Sequence, residues 1–558
     1  MKTSSRPAPR AGRNQSAPPA RGAVSPRVGL RRYLPLALLV ALAAGLRLAG
    51  ITWGLPSDTH LFSYHPDEYH SLRALFSLAL AGDLNPHFFN YGSLYLYLVV
   101  AGALLLHPGA SLTAWGEQLA TGQAGPLLRS WTLDARLVSV VCSLLTVYVV
   151  FLLGRRLLGP RGGLAAALLL AVAPLATLLA HYGTVDPAQC LFLTLTLYLS
   201  LLLPERPGWR TVAWAGVCAG LAASVKYNGA VVLVAPLLAA ALAPSDGTRP
   251  AVGTVLRRWG ALLGAAALAF AVTSPYTWLS WSEAHRDFSF ELAHMRAGEG
   301  LALAADPSGL FYHLRHLLAP GLGPALLLAL LGAVGVVYRR RQQWYPLVLF
   351  ALLWLVMISL ARVRYPRYEL ALLPPLALLA AVPLSWRRGR WVWRGLAALS
   401  LLAALGWSLQ TVAGLARPDP RDQALAYLLS IVPPGQSVGL LGTPWYSDPP
   451  LDYCNGGAGL NSLWLWRGYQ RPVRRLWSLE GGLPVSAALP PALATSDFQV
   501  ADGLRVGDPA TVSLMFSVAA HYRRTETFGG APYYLVPGDL GPDWRYPWPR
   551  LEIWQLNP

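Results

Sequence analysis

The sequence predicts a polytopic α-helical membrane protein with a small α/β domain at its C-terminal end. Of its 558 residues, 54% are hydrophobic, and the mean hydropathy is +0.40. That apolar content is too high for ordinary soluble domains. Apolar runs of about 17–25 residues, the length that crosses a bilayer, recur between residues 33 and 413. After residue 413 such runs stop, and Pro, Gly, Asp and Trp become frequent.

The first 32 residues are rich in Pro, Ser and Arg, which predicts a disordered basic cytoplasmic tail. The run 33–50 has no small-residue cleavage site, so we expect an uncleaved first span. The net charge of +18 comes largely from short loops between apolar runs, such as 154–163 and 338–344. This pattern sets membrane orientation and argues against nucleic-acid binding. We therefore expect a cell (inner) membrane protein whose C-terminal domain is extracytoplasmic.

Alternation of the basic loops orders the apolar runs into about 11 spans. They are 33–50, 137–153, 163–180, 188–204, 211–225, 228–243, 258–274, 320–337, 345–361, 369–385 and 395–413. If 137–153 runs inward, no single crossing fits between residues 51 and 136. The run 94–106 in that interval is short for a span, so we expect a large outer loop that carries membrane-hugging helices.

The region 414–558 is predicted to be a small outer α/β domain. Residues 422–432 have helical spacing, and residues 436–442, 497–503 and 550–556 resemble short strands.

The stretch "SYHPDEYHSL" (63–72) gathers titratable residues in a chain of low charge. The predicted topology places Asp67 and Glu68 just outside the membrane, after the first span. A partly desolvated Asp has a raised pKa and acts as a general base, and its adjacent carboxylate would face basic partners. An ordinary first helical turn after Pro66 is the open alternative.

Asp186 and Lys226 are predicted on the same outer face. Acids at a membrane boundary are costly and tend to be functional. Lys226 and Lys2 are the only lysines among 45 basic residues. A lone ammonium suggests a phosphate site. The alternatives are a helix cap at Asp186 before Pro187 and an interfacial, snorkelling Lys226.

Several further residues are candidates for the same site. Arg362, Arg364 and Arg367 lie on the outer side against the positive-inside bias, and Arg136 enters the second span from there, so an anionic lipid headgroup is the expected partner. Substrate-lining candidates are His65, His70, Tyr91, His181 and Tyr276. His65 and His70, with Asp67 and Glu68, are also candidate ligands of a divalent metal, although their spacing matches no strong metal motif.

Taken together, these stretches resemble the GT-C glycosyltransferases, specifically the protein-mannosyltransferase and aminoarabinose-transferase-like group (family 39/83 type). The resemblance covers roughly residues 30–385, in the family's order. It is carried by "HPDEYH", "GDLNPHFFNYGSLYLYLV", "ARLVSVVCSLLTVYVVFLLGRRLLG", "AHYGTVDPAQCLFL", "GLAASVKYNGAVVL" and "RYPRYELALLPPLALL".

The resemblance implies a GT-C fold and transfer of a sugar from a polyprenyl-phosphate carrier to a protein, lipid or glycan acceptor outside the cytoplasm. It implies that Asp67 is the catalytic acid of the first loop with Glu68 as its neighbour, and that Asp186 is the acid of the second loop. It also implies that Lys226 meets the donor phosphate and that Arg367 belongs to the late outer loop. The chain departs from many relatives where they carry Lys-Pro-Pro, because it has Gly92 and Ser93 near that position.

Two other function classes stay open at this point. One is another lipid-linked transferase, such as an O-antigen ligase-like enzyme, and the other is a polyprenyl-lipid transporter. The sequence has no convincing internal repeat of the kind many transporters carry. For a transferase, we expect Asp67, Asp186 and Lys226 to converge on one outward-facing cavity, and a single displacement with Asp67 as general base predicts inversion.

Overall fold

A computed structural model describes residues 26–82, 84–121, 124–206, 208–244, 249–298, 308–441, 445–451, 475–478, 483, 489–530 and 540–558. The first part of the chain forms α1 (Pro26–Leu48), α2 (Glu68–Ala81), α3 (Leu94–Leu106), α4 (Leu112–Ala120), α5 (Ala124–Ala171), α6 (Pro174–Ala180), α7 (Val185–Leu202), α8 (Trp209–Val225), α9 (Val234–Leu242) and α10 (Val252–Thr273). Next come α11 (Tyr276–Leu279), α12 (Trp281–Ala297), α13 (Gly309–His316), α14 (Ala325–Tyr338), α15 (Tyr345–Leu360), α16 (Leu373–Ala380) and α17 (Arg390–Leu415). Short 3-10 segments lie at Tyr227–Leu233, Gln342–Trp344, Pro366–Leu372 and Pro383–Ser385, and a π-helical turn lies at Leu317–Gly321.

The helices confirm a membrane protein. Within the described ranges, six are long and apolar enough to span a bilayer: Gly125–Ala171, Val185–Leu202, Val252–Thr273, Gln342–Leu360, Pro366–Ser385 and Arg390–Ile431. A seventh follows if Gly309–Gly321 and Ala325–Tyr338, bent by 119°, form one span. The eleven predicted runs fall on helical segments, but some are short or broken, so the number of about 11 spans stays a prediction.

The long helix α5 is two helices joined by a tight turn at the basic loop. Gly159 has φ 81° and ψ 175°, which is not helical, and Pro160 follows it. A Cβ on Gly154 would lie 2.7 Å from Gly163 Cα, although nine residues separate them. Such an approach needs the chain to fold back on itself with no side chain between the segments. The predicted runs 137–153 and 163–180 therefore meet at a glycine-packed hairpin.

One predicted boundary changes in the first third of the chain. Helix α1 begins at Pro26, inside the stretch predicted to be a disordered tail, while residues 1–25 lie outside the described part. The predicted outer loop 51–136 carries α2, α3 and α4, and these pack against each other and against α5. The 13 residues of α3 match the short apolar run, and its position relative to the bilayer stays a prediction.

The C-terminal region combines helices with a five-stranded mixed sheet. Its elements are α18 (Pro420–Ile431), β1 (Ser437–Leu440), β2 (Arg475–Ser478), β3 (Ala492–Ser496), α19 (Asp497–Val506), α20 (Pro509–His521), β4 (Tyr522–Phe528), α21 (Pro542–Arg545) and β5 (Leu551–Leu556). The strand order is β2-β1-β3-β5-β4, with β1 parallel to β2 and β3, and β5 antiparallel to β3 and β4. Leu425 and Leu428 of α18 are buried in one core with Val438, Leu440 and Ile553 of the sheet.

The secondary structure predicted for this region is right at three places and wrong at one. The helix at 422–432 and the strands within 436–442 and 550–556 are confirmed by α18, β1 and β5. The strand predicted at 497–503 is wrong, because these residues form α19. Ser496 caps that helix, and Gln499 bonds back to the Ser496 backbone, so a reciprocal capping box decides for a helix.

Candidate active site

Four predicted residues meet at the ends of four different helical segments. Asp67 occupies the N-cap position of α2, Asp186 lies in the first turn of α7, Lys226 is the C-cap of α8, and Arg367 begins the 3-10 segment Pro366–Leu372. Asp67 and Asp186 line one small cavity, and Asp186, Lys226 and Arg367 line an adjoining one. The two acids and the lysine therefore lie close together, on two adjoining cavities rather than the one expected, and their outward-facing position stays a prediction.

The helix-cap alternative for Asp67 loses support from its side-chain contacts. The Asp67 side chain makes no capping hydrogen bond, and its Oδ2 lies 2.8 Å from Arg367 Nη1. The carboxylate is 21% exposed, so it can still meet a substrate, whereas Arg367 is buried.

The predicted raised pKa of Asp67 is wrong in direction. Burial alone would raise the pKa of Asp67, but the charge of Arg367, with a smaller contribution from Lys226, outweighs it and holds the pKa below its usual value. Asp67 is therefore ionised at neutral pH and has a free lone pair for a proton.

Arg367 is shared with a second carboxylate, Asp543 of α21. Its Nη1 lies 3.1 Å from Asp543 Oδ1, and its backbone N–H donates to Asp543 Oδ2 at 2.8 Å. The guanidinium also lies 4.0 Å from the centre of the Tyr365 ring. No local pattern points to Asp543, because it is 176 residues away in sequence.

Lys226 points into the protein rather than towards the membrane surface. Its Nζ lies 3.2 Å from Asp186 Oδ1, and its side chain is 13% exposed, which disfavours snorkelling. The ammonium also lies 5.3 Å and 4.9 Å from the ring centres of Tyr91 and Tyr368, within cation–π range. Gln189 donates to the carbonyl oxygen of Lys226 at 3.3 Å and fixes the backbone there. Asp186 is thus half of an ion pair rather than a helix cap.

Glu68 and Arg136 form a closed, buried ion pair. Glu68 accepts from Arg136 Nε at 2.7 Å and Nη2 at 2.9 Å, from the Gly183 N–H at 2.7 Å, and from the Ser63 hydroxyl. The remaining Arg136 N–H groups donate to the carbonyls of Ile51 and Trp53 and to Ser63.

All five guanidinium donors of Arg136 are thus engaged, and its side chain is 0% exposed. This placement favours a structural role for the pair over the catalysis and phosphate binding that the sequence predicted for Glu68 and Arg136. Arg136 has no N–H group left to offer a phosphate.

Three predicted lining residues surround Asp67. The buried His65 ring packs 4.1 Å from the Tyr182 ring centre, its Nδ1 accepts from the Asp67 N–H at 3.2 Å, and burial lowers its pKa to about 4. His70 stacks on Phe88 and lines the Asp67 cavity together with Tyr91.

Three other predicted residues have contacts elsewhere. His181 lies with Nδ1 2.8 Å from the Thr177 carbonyl oxygen and Nε2 2.9 Å from that of Ala49, so it ties α6 to the end of α1. Arg364 donates to the carbonyl of Ala361, and Tyr276 begins α11. Their predicted roles in substrate or phosphate binding stay predictions.

Gly92 lies where the first loop meets the end of α8. A Cβ on Gly92 would lie 2.1 Å from the Ser224 carbonyl oxygen, so the first loop packs directly on the end of α8. The next residue, Ser93, is buried and its N–H donates to Ser274. This close approach leaves no room for a side chain at Gly92 and presents Tyr91 to Lys226.

A larger cavity of ≈ 240 Å³ opens beside Lys226. One wall is apolar and comes from α12 and α15, with Phe288, Leu292, Met295, Met357 and Ile358. The rest of the lining is polar, with Asn90, Tyr91, Lys226, Asn228, Glu291 and Tyr368. The cavity therefore combines an apolar lining with the ammonium of Lys226, which suits an amphiphile with an anionic headgroup.

Among the described residues, the 63–72 stretch does not form a cluster of metal ligands. Within the described ranges, no group of three or more His, Cys, Asp or Glu side chains is close enough to hold a metal ion.

Comparison with known proteins finds a family match, similar sequences and a similar solved structure. Residues 127–281 match the family described as dolichyl-phosphate-mannose-protein mannosyltransferase. The chain is 29% identical over 352 residues to an undecaprenyl phosphate-alpha-4-amino-4-deoxy-L-arabinose arabinosyl transferase of Pseudomonas paraeruginosa, and 28% identical to the same-named protein of Pseudomonas aeruginosa. Each match covers 59% of this chain and 57% of the relative. Apo ArnT of Cupriavidus metallidurans aligns with a TM-score of 0.49 at 15% identity, covering 95% of this chain and 98% of that one.

These matches are to proteins named as sugar transferases, the class that the motifs predict. More particularly, the chain resembles the protein-mannosyltransferase and aminoarabinose-transferase-like group, whose names refer to sugars carried on polyprenyl phosphates. Because the chain spans 57% of the length of its curated relatives, its own reaction is taken up as a proposal.

Proposed function

We propose that the protein transfers a sugar from a polyprenyl-phosphate carrier to an acceptor hydroxyl on the extracytoplasmic side of the membrane. The cavity beside Lys226 carries the proposal, because it combines an apolar wall with an ammonium 3.2 Å from Asp186. A polyprenyl chain fits the wall, and its phosphate fits the ammonium as a point charge. The carriers named for the relatives are of this chemical kind.

In this mechanism Asp67 removes the proton from the acceptor hydroxyl as the oxygen attacks the anomeric carbon. The bond from that carbon to the phosphate oxygen breaks in the same step, so the configuration inverts. Lys226 and Arg367 stabilise the charge that develops on the departing polyprenyl phosphate. An incoming phosphate offers Lys226 a second anion and Arg367 a third, which loosens the hold of Arg367 on Asp67 and restores the basicity of that carboxylate.

Glu68 and Arg136 have a supporting role in this proposal. Their buried pair fixes Ser63, the carbonyls of Ile51 and Trp53, and the Gly183 N–H. The loop that presents Asp67 is thereby tied to α5 and to the turn before α7.

The test is transfer by the purified protein in lipid nanodiscs, supplied with a panel of labelled polyprenyl-phosphate sugars and candidate acceptors. We expect turnover with one or more donors, inversion at the anomeric carbon by NMR, and at least a thousandfold loss in Asp67→Asn, the upper part of what a general base contributes. Full activity of Asp67→Asn would remove Asp67 from the mechanism. Retention of configuration would exclude the single displacement.

A further inference from the structure

Asp543 reaches the candidate site from the C-terminal region and is fully buried there. Arg367 Nη1 lies 3.1 Å from Asp543 Oδ1 and 2.8 Å from Asp67 Oδ2. A single guanidinium nitrogen therefore bridges a carboxylate of the first loop and a carboxylate of α21. The Arg367 backbone N–H, which donates to Asp543 Oδ2 at 2.8 Å, adds a third contact.

The segment 540–548, which carries Asp543, packs into the apolar core formed by the membrane helices. Its Trp544, Tyr546 and Trp548 belong to the same buried apolar core as the membrane helices. The Tyr182 hydroxyl donates to the Asp543 carbonyl oxygen at 2.9 Å.

The turn that leads into α21 also packs tightly. Gly541 has φ +74°, and a Cβ there would lie 3.0 Å from Pro366 Cγ and from the Tyr312 hydroxyl. These contacts fix Asp543 relative to Arg367, so its carboxylate is a rigid support rather than a surface charge.

We propose that Asp543 is a positioning residue for sugar transfer, which holds the Arg367 guanidinium against Asp67 so that the C-terminal domain completes the catalytic centre. The inference rests on the proposed role of Asp67 and adds to it a task for residues 540–548. An arginine held by one exposed carboxylate can rotate about that contact. A second carboxylate and a backbone link remove this freedom, and they divide the charge of Arg367 between two partners.

The first test compares Asp543→Asn with wild type in the nanodisc transfer assay. A misplacement of about 1 Å costs roughly a hundredfold in rate, so we expect kcat to fall by about 10–100-fold while KM for the donor changes less than about threefold. The matched control is Asp448→Asn, because Asp448 is also buried in the C-terminal region and its carboxylate bonds to Gln499 and Ser447, outside the 540–548 segment. The control should lose stability but keep its kcat. Wild-type kcat in Asp543→Asn, or an equal loss in the control, would overturn the proposal.

A second variant covers the case in which Asp543→Asn does not fold. Tyr182→Phe removes only the hydroxyl that holds the Asp543 carbonyl. We expect about a three- to tenfold lower kcat and no further loss when the change is combined with Asp543→Asn, since both act through one contact. An unchanged kcat in Tyr182→Phe would count against the proposal.

A structure of Asp543→Asn separates this inference from the proposed function. If the wild-type protein transfers no sugar, the proposed function fails, while the position of Arg367 in the variant still tests the positioning role. We expect the guanidinium to move by about 1 Å or more from its contact with Asp67 in a cryo-EM structure of the variant in nanodiscs. A guanidinium that stays in place would overturn the role of Asp543.

Discussion

Neutralising Glu68 and neutralising its neighbour Asp67 are expected to have opposite effects. The first should lower stability while part of the turnover remains, and the second should abolish turnover with little loss of stability. Glu68→Gln keeps the size of the side chain but leaves the fully buried Arg136 without its counter-charge. Removing one partner of a buried ion pair costs about 3–5 kcal/mol. This corresponds to a loss of about a hundredfold to several thousandfold in the ratio of folded to unfolded protein.

The structure makes Asp67→Asn much milder for stability. Arg367 keeps its contacts with Asp543, so the guanidinium is not left without a counter-charge when the partly exposed Asp67 is neutralised. We expect a cost of about 1 kcal/mol or less. The same substitution removes the proposed general base, so turnover should vanish while the protein remains folded.

The assay is thermal unfolding of both variants in one detergent, followed by size-exclusion chromatography, alongside transfer activity at a temperature where both are folded. Glu205→Gln is the control for loss of a carboxylate, because the Arg156–Glu205 pair is on the surface and should matter little. Glu68→Gln should be strongly destabilised and keep part of its turnover at low temperature. If Glu68→Gln instead has wild-type stability and no turnover, the structural assignment of the Glu68–Arg136 pair is refuted.

Further perturbations test the phosphate site, the loop contact and the acid limit of activity. Lys226→Ala should raise KM for the donor by about 10–100-fold, since a hydrogen bond to a charged group contributes about 1.5–3 kcal/mol, and titration with polyprenyl phosphate measures the change. Gly92→Ala places a Cβ against the backbone of α8 and should cost about 1–3 kcal/mol in the free energy of unfolding, measured by thermal denaturation. Gly264→Ala is the control and should be tolerated, because a Cβ there faces open space. Equal stability of the two variants would contradict the close approach at Gly92. Burial raises the pKa of Asp543 to about 6 despite Arg367, so its ionised form is lost as pH falls through about 6. Transfer should therefore decline below that pH in a pH–rate profile, and Asp543→Asn should lack this limb of the profile.

Local sequence was enough to predict most helices and to single out the main site residues. Apolar length and basic loops reveal the helical runs because a bilayer imposes a uniform requirement on each segment separately. Asp186, Lys226 and Arg367 stand out for a similar reason, since each is a charge beside an apolar run, whereas Asp67 stands out because the 63–72 stretch gathers titratable residues. The strand predicted at 497–503 failed because apolar spacing in a seven-residue stretch does not separate strand from helix, whereas the Ser496 capping box does.

Only the tertiary structure decided which charged side chains pair with each other. Glu68 and Asp67 are neighbours with similar chemistry, yet one is closed in by Arg136 and the other lies open beside Arg367. Asp543 enters the site from a distance of 176 residues, a contact that no local spacing encodes. The direction of the Asp67 pKa shift is also a tertiary property, because it is the difference between a large burial effect and the attraction of cations brought in from other segments.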